Sequence, residues 1–120
     1  MFTVLWVALG GAVGSLARYG ISGAINENFH PWGTVAVNLT GSLALGVLVG
    51  VWGFTSDGPA RVGMTAGLLG GFTTFSTFSV DVVRLWEDGS AATAVGVVAV
   101  SVAGGILTAI LGVAAGRALG

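Results

Sequence analysis

The chain has 120 residues, of which 54% are hydrophobic and only 8% are charged, and its net charge is −1. An ordinary soluble domain carries about 25% charged residues, so the composition excludes that class. The sequence contains neither lysine nor cysteine, which leaves no basic surface for nucleic acid and no disulfide or cysteine-metal site.

Long uncharged runs separate the charged residues. They cover residues 1–17, 28–56, 62–80 and 89–116. Because a helix rises about 1.5 Å per residue, about 20 apolar residues cross a hydrocarbon core of roughly 30 Å. The sequence therefore predicts an all-α membrane protein with four transmembrane helices in a single domain, residues 1–120. The predicted spans are about 3–25, 32–54, 60–86 and 91–115.

The first two spans each contain a polar residue that invites two interpretations. Arg18 lies near the far end of the first span, as an interfacial anchor or as a positive charge at a pore mouth. Residues 26–31 are predicted to form a polar turn. Asn38 then lies about 9 Å into the second span, where its amide either joins two helices or donates N–H groups along a pathway.

The third span is predicted to be broken near its middle. Gly70 and Gly71 are followed closely by the β-branched Thr73 and Thr74, which makes a poor continuous helix. A break at Gly70–Thr73 frees backbone groups, and a membrane tolerates this only where protein or a cavity satisfies them. Broken helices of this kind coordinate ions in channels and transporters.

An aromatic and hydroxyl stripe follows the predicted break. Phe72, Phe75 and Phe78 recur every three residues, with Ser76 and Thr77 beside them. Any one phenylalanine is explained by core packing alone. Together, ring edges that are electropositive and neighbouring hydroxyl donors form a charge-free path suited to an anion.

The remaining polar residues have plainer interpretations. Asp81 is expected to pair with Arg84, three residues on, and His30 to lie in an interfacial turn. Ser101 and Thr108 either extend a hydroxyl track or bond back to their own helix. The sequence offers no nucleophile–base pair, carboxylate pair or metal-ligand spacing, so we do not expect an enzyme.

Glycine and arginine indicate how the helices assemble. The chain has 22 glycines, many four residues apart, a spacing that lets helices in lipid approach closely. Four spans place Arg61 and Arg117 on one side of the membrane, and Arg18 and Arg84 on the other. This two-against-two balance gives no strong orientation signal. We expect copies that insert both ways and pair antiparallel.

Three motifs resemble those of the Fluc/CrcB family of fluoride ion channels, over essentially the whole chain. They are GGAVGSLARY at residues 10–19, GTVAVNLTGSLALG at 33–46 and GLLGGFTTFSTFS at 67–79. The sequence departs from the family pattern at Ser15, Leu43 and Asp81. The shorter Asp81 replaces an expected glutamate, so a role that needs the longer side chain does not carry over.

The resemblance implies an antiparallel, dual-topology homodimer in the inner membrane of a prokaryote, giving passive fluoride export through two pores. Its implied partners are fluoride, a second copy of the chain and the lipid bilayer. The implied ion pathway comprises Asn38, Phe75, Phe78, Ser76, Thr77 and Arg18. A structural sodium ion at the dimer interface is implied at the backbone carbonyls of Gly70 and Thr73.

The alternative is a small dual-topology, proton-coupled multidrug transporter, which also has four short spans. Proton-coupled export of cations requires a carboxylate inside the first span, and residues 1–17 contain none. A purely structural membrane subunit would explain the glycines but not Asn38 or the broken third span.

Overall fold

The computed structural model describes residues 1–55 and 57–120, and within them it contains four helices long and apolar enough to cross a membrane. Helix α1 is Phe2–Phe29 and α2 is Trp32–Trp52. The third span, Pro59–Glu87, consists of α3 at residues 59–72 and α4 at Phe75–Glu87. The fourth span, α5, is Ala91–Leu119. The protein is therefore an all-helical, multi-pass membrane protein.

The first span is longer than predicted, because the expected polar turn at residues 26–31 begins only after Phe29. Asn26 remains helical, and its Oδ1 accepts a hydrogen bond of 2.7 Å from the backbone N–H of Gly33. That N–H lies in the first turn of α2, where helix donors lack a partner of their own. One polar residue thus extends α1 and caps α2.

The third span is broken near its middle, as predicted, and the break begins two residues after the glycine pair. Gly70 is helical, with φ −64° and ψ −36°, whereas Thr73 and Thr74 are extended. The break falls at the threonine end of the predicted Gly70–Thr73 range, and the glycine pair itself is helical. Gly71 serves packing instead, because a Cβ on it would lie 2.8 Å from the carbonyl oxygen of Gly11 in α1.

Helix α3 also changes its winding before it ends. It starts with Pro59 at the first helical position, after Gly58 with φ 95°, and Gly63–Leu69 form a π-helical segment. A second π-helical segment, Val100–Gly104, interrupts α5. Such segments are uncommon and are frequent at functional sites.

Glycines form two seams between helices. In the first, α2 and α5 meet so closely that a Cβ on Gly46 would lie 3.1 Å from the Cα of Gly112. In the second, a Cβ on Gly67 of α3 would lie 2.8 Å from the carbonyl oxygen of Val7 in α1. Only glycine permits both approaches, which fits the packing predicted from the four-residue spacing.

Helix α4 packs differently, through larger side chains. Phe78 is buried against Val35 of α2 and Val97 of α5, and Leu39 and Val82 pack beside them. This cluster fixes the face that α4 presents just after the break.

Candidate functional site

The break in the third span is closed by one side chain from α2. Asn38 Nδ2 donates a hydrogen bond of 2.8 Å to the carbonyl oxygen of Thr74, and Asn38 Oδ1 accepts one of 2.7 Å from the N–H of the same residue. The amide therefore pairs with both backbone groups of Thr74, including the N–H that has lost its helical acceptor. An Asn amide has two N–H groups, and the second N–H of Asn38 is not used in this pairing.

The carbonyl oxygens of Gly70 and Thr73 are among those that lose their helical donors at the break. In a continuous helix the N–H of Thr74 would bond to Gly70 and that of Thr77 to Thr73. Here Thr74 N–H bonds to Asn38, and Thr77 N–H bonds to Thr74 Oγ1 at 3.2 Å. The oxygens of Gly70 and Thr73 thus become available as cation ligands.

Arg18 binds at the carboxyl end of α3. Its Nε donates a hydrogen bond of 3.0 Å to the carbonyl oxygen of Gly71, and the contact is partly buried. Arg18 lies 11 residues before the end of α1, about 16 Å along the helix axis. A cation at a helix carboxyl terminus complements the negative end of its dipole. Arg18 is therefore bound to the break, and is neither a free anchor among the lipid headgroups nor an unattached positive charge.

A groove of about 750 Å³ runs along the break on the open side of the bundle. Its wall joins residues from α2, both halves of the third span and α5. The polar groups in the wall are Asn38, Ser42, Thr65, Thr73, Thr74 and Ser101. The wall also contains Gly70, Phe75 and Phe78. Within the described part of the chain, no acidic or basic side chain belongs to this wall, and no group of three residues suited to a transition metal is found.

The two phenylalanines occupy different environments. Phe75 is 77% exposed, whereas Phe78 is 8% exposed and forms part of the core cluster. Their ring centroids lie 5.6 Å apart at an interplanar angle of 58°. In this tilted arrangement the rings are not stacked face to face, and both residues belong to the groove wall.

The hydroxyl groups beside the rings are organised by a residue that the sequence interpretation missed. Thr74 caps α4, and its Oγ1 lies 3.3 Å from Ser76 Oγ. Ser76 and Thr77 are exposed and lie outside the described groove wall. A threonine directly before a helical run is a recognisable N-cap signal, and it marks where α4 begins.

Asp81 has a different partner from the predicted one. Its Oδ1 lies 3.7 Å from Nε2 of His30, and no ion pair with Arg84 occurs in residues 1–55 and 57–120. The burial of Asp81 explains the difference, because it is 6% exposed while Arg84 lies on the exposed side of α4. The expected pairing within one helix was therefore wrong.

Ser101 and Thr108, both in α5, differ in their hydrogen bonding. Thr108 Oγ1 donates to the carbonyl oxygen of Gly105 at 3.0 Å, so it bonds back to its own helix. Ser101 Oγ is buried, lies in the π-helical segment and has no hydrogen-bond partner within the described chain. Of the pair, only Ser101 lines the groove.

Comparison with known proteins gives one consistent family. The model of the CrcB-like protein family, Camphor Resistance (CrcB), matches residues 5–113. The chain is 44% identical to the fluoride-specific ion channel FluC of Paracoccus denitrificans, over 98% of this chain and 96% of the relative. It is 41% identical to a FluC of Chelativorans sp., over 99% of both chains. A third relative is FluC 2 of Haloarcula marismortui, 45% identical over 89% of this chain and 84% of the relative.

Proposed function

The chain belongs to the CrcB-like family, and we propose that it is a fluoride-specific ion channel, as its relatives are named, through which fluoride leaves the cell passively. The observation that carries this proposal is the broken third span, closed by Asn38 and flanked by Phe75 and Phe78 in a groove wall without acidic or basic side chains among the described residues. The relatives are ion channels and not enzymes, so transport is the activity to test.

Fluoride is recognised here by neutral groups. The electropositive edges of Phe75 and Phe78 attract an anion without binding it as tightly as a fixed positive charge would. The second N–H of Asn38 donates to the same ion. Exposed hydroxyl groups of Ser76 and Thr77 continue the path beyond the groove. Arg18, attached at Gly71, contributes positive potential at the vestibule.

A second copy of the chain, inserted in the opposite orientation, completes the pathway. Polar groups of the groove wall such as the carbonyl oxygen of Thr73 cannot face lipid without loss, since each unsatisfied polar group costs several kcal/mol there. Covering the groove with another chain removes that cost. The balanced arginines favour opposite insertion, and an antiparallel pair with twofold symmetry has two equivalent pores. Residues 1–120 act as one transmembrane domain of this homodimer in the inner membrane of a prokaryote.

The carbonyl oxygens of Gly70 and Thr73 suit a structural sodium ion at the interface. Both residues lie in the groove wall, and both oxygens have lost their helical donors. Carbonyl oxygens replace the hydration shell of an alkali cation. Four such oxygens, two from each copy, would hold the ion, which supplies positive charge between the carboxyl ends of two half-helices.

The multidrug-transporter alternative is not favoured by the family. Its coupling carboxylate is missing as well, since the acidic residue of α1 is Glu27, near the helix end. A lipid-vesicle assay tests the proposal directly. Vesicles with the purified protein should release fluoride much faster than empty vesicles, and should retain chloride. Equal fluoride release from both kinds of vesicle would contradict channel function for the homomeric form.

Antiparallel pairing has its own test. Leu119→Lys with Phe54→Lys adds two cations on one side, whereas Leu119→Lys with Trp86→Lys adds one on each side. All three positions are well exposed. The one-sided variant should fix the orientation and reduce the dimer yield on cross-linking, while the balanced variant should keep it. A full dimer yield from a uniformly oriented population would contradict antiparallel pairing.

A further inference from the structure

A buried carboxylate lies beside the proposed path without a hydrogen-bond partner. Asp81 is 6% exposed, and within the described chain its Oδ2 is inaccessible and unpartnered. A buried charge in this state is unfavourable unless an opposite charge compensates it. The compensating group must come from another part of the fold.

His30, in the connection between α1 and α2, is the group in the right place. Its Nε2 lies 3.7 Å from Asp81 Oδ1. This separation is too long for a hydrogen bond, so the attraction is electrostatic and exists only while the imidazole carries a proton. The imidazole side chain is 38% exposed.

Other charged groups around Asp81 are few. Helix α2 and the first nine residues of α5, which pack against α4, contain no titratable side chain. Helix α4 itself contributes Arg84 and Glu87, both exposed, and the end of α1 contributes the exposed Glu27. Of the described cations, His30 alone lies within 4 Å of the Asp81 carboxylate.

Asp81 lies three residues after Phe78, so the two share a face of α4, and both are buried. One helical turn separates the carboxylate from the ring that contacts fluoride in the proposed path. A negative charge at this distance, in surroundings of low polarity, repels an approaching anion. The charge state of Asp81 and its partner therefore acts on the path.

We propose that His30 is a positioning residue for fluoride conduction: its protonated imidazole neutralises Asp81 and so lowers the barrier for fluoride at Phe78. This inference rests on the proposed channel function. Loss of the imidazole proton leaves the buried carboxylate uncompensated and slows conduction. Fluoride flux should consequently be higher at a pH at which the imidazole is protonated than at one at which it is neutral.

The test is fluoride release from vesicles at about pH 5.5 and about pH 8, with the release from empty vesicles subtracted at each pH. Wild-type flux should be about tenfold higher at the lower pH. His30→Gln should be slow at both values, and His30→Arg, permanently charged, should be fast at both. Adding Asp81→Asn to His30→Gln should restore fast, pH-independent flux, because no charge then needs compensation.

Arg84→Gln is the matched control, since it removes a cation from α4, the helix of Asp81, and leaves both His30 and Asp81 unchanged. It should keep the wild-type pH dependence. Wild-type flux that is rapid but independent of pH would overturn the inference while leaving the channel intact. A double variant as slow as His30→Gln would assign His30 a purely structural role and also overturn it. Without fluoride flux from any variant at either pH, the channel function itself fails.

Discussion

The glycine seam between α2 and α5 and the break between α3 and α4 differ in how their backbone polar groups are satisfied. At the seam, Gly46 and Gly112 bring two backbones together, and ordinary helical hydrogen bonds satisfy the main chain. At the break, Thr73 and Thr74 leave helical geometry, and Asn38 pairs with the N–H and the carbonyl of Thr74. The seam needs no polar side chain, whereas the break depends on one.

This difference separates scaffold from function. Close packing at the glycine seam leaves no room for a side chain and offers no polar group to a ligand. The seam therefore sets the positions of the helices and does not bind an ion. The break exposes oppositely polarised backbone groups inside the membrane, which is favourable only where they bind side chains or ions. Substitutions at the seam should therefore affect assembly, and substitutions at the break should affect conduction.

The largest effect is expected from Asn38→Ala. It leaves the N–H of Thr74 without a partner, at about 1–3 kcal/mol, and it removes both amide donors of Asn38. Fluoride release should drop to the level of empty vesicles. Thr40→Ala is the control, because Thr40 on the same helix bonds only to its own backbone at Ala36. Near-normal flux through Asn38→Ala would show that the break does not need the amide.

A smaller effect on flux and a larger one on assembly are expected from Gly112→Leu. The new side chain would collide with the backbone at Leu43 and Gly46, which cannot move aside, and overpacking of this kind costs typically about 1–3 kcal/mol or more. Thermal stability in detergent should fall clearly. The same substitution at Gly96, where a Cβ meets open space, should change it little. Equal thermal stability of the two variants would show that the glycine seam does not stabilise the fold.

The smallest of these effects is expected from Arg18→Gln. The contact with Gly71 O loses its charge, and hydrogen bonds to charged groups contribute about 1.5–3 kcal/mol. Fluoride flux should fall by roughly tenfold, with the dimer still formed. Arg61→Gln, at an exposed arginine that stacks on Trp52, should leave the flux unchanged. If both arginine variants behave alike, the Arg18 contact has no special role at the break.

Sequence patterns that act locally were informative about this fold. Uncharged runs predicted all four spans, and glycine beside β-branched threonine predicted an interruption in the third. The N-cap residue Thr74 marks the start of α4 locally, but Asn38, which pairs with its backbone, is 36 residues away. The glycine pair resembled a break, but its neighbour in space is α1, which requires close packing there.

Contacts between distant residues were the ones that the sequence left open or misassigned. His30 and Asp81 are separated along the chain by the whole second span and most of the third, so the nearer Arg84 was the natural expectation. Arg18 and Gly71 are 53 residues apart. Such pairs depend on which helix faces meet, and periodicity within one helix contains no information about that. The capping role of Thr74, by contrast, was readable from the chain.

The central claim is that fluoride moves along the ring edges at the break, and Phe78→Ile tests it most directly. The substitution keeps an apolar side chain in the core cluster but removes the electropositive edge. The matched control is Phe72→Ile, which makes the same change in the same span at a residue that does not line the groove. With dimer formation verified for both, Phe78→Ile should abolish fluoride release from vesicles and Phe72→Ile should retain it. Wild-type fluoride release through Phe78→Ile would contradict the account.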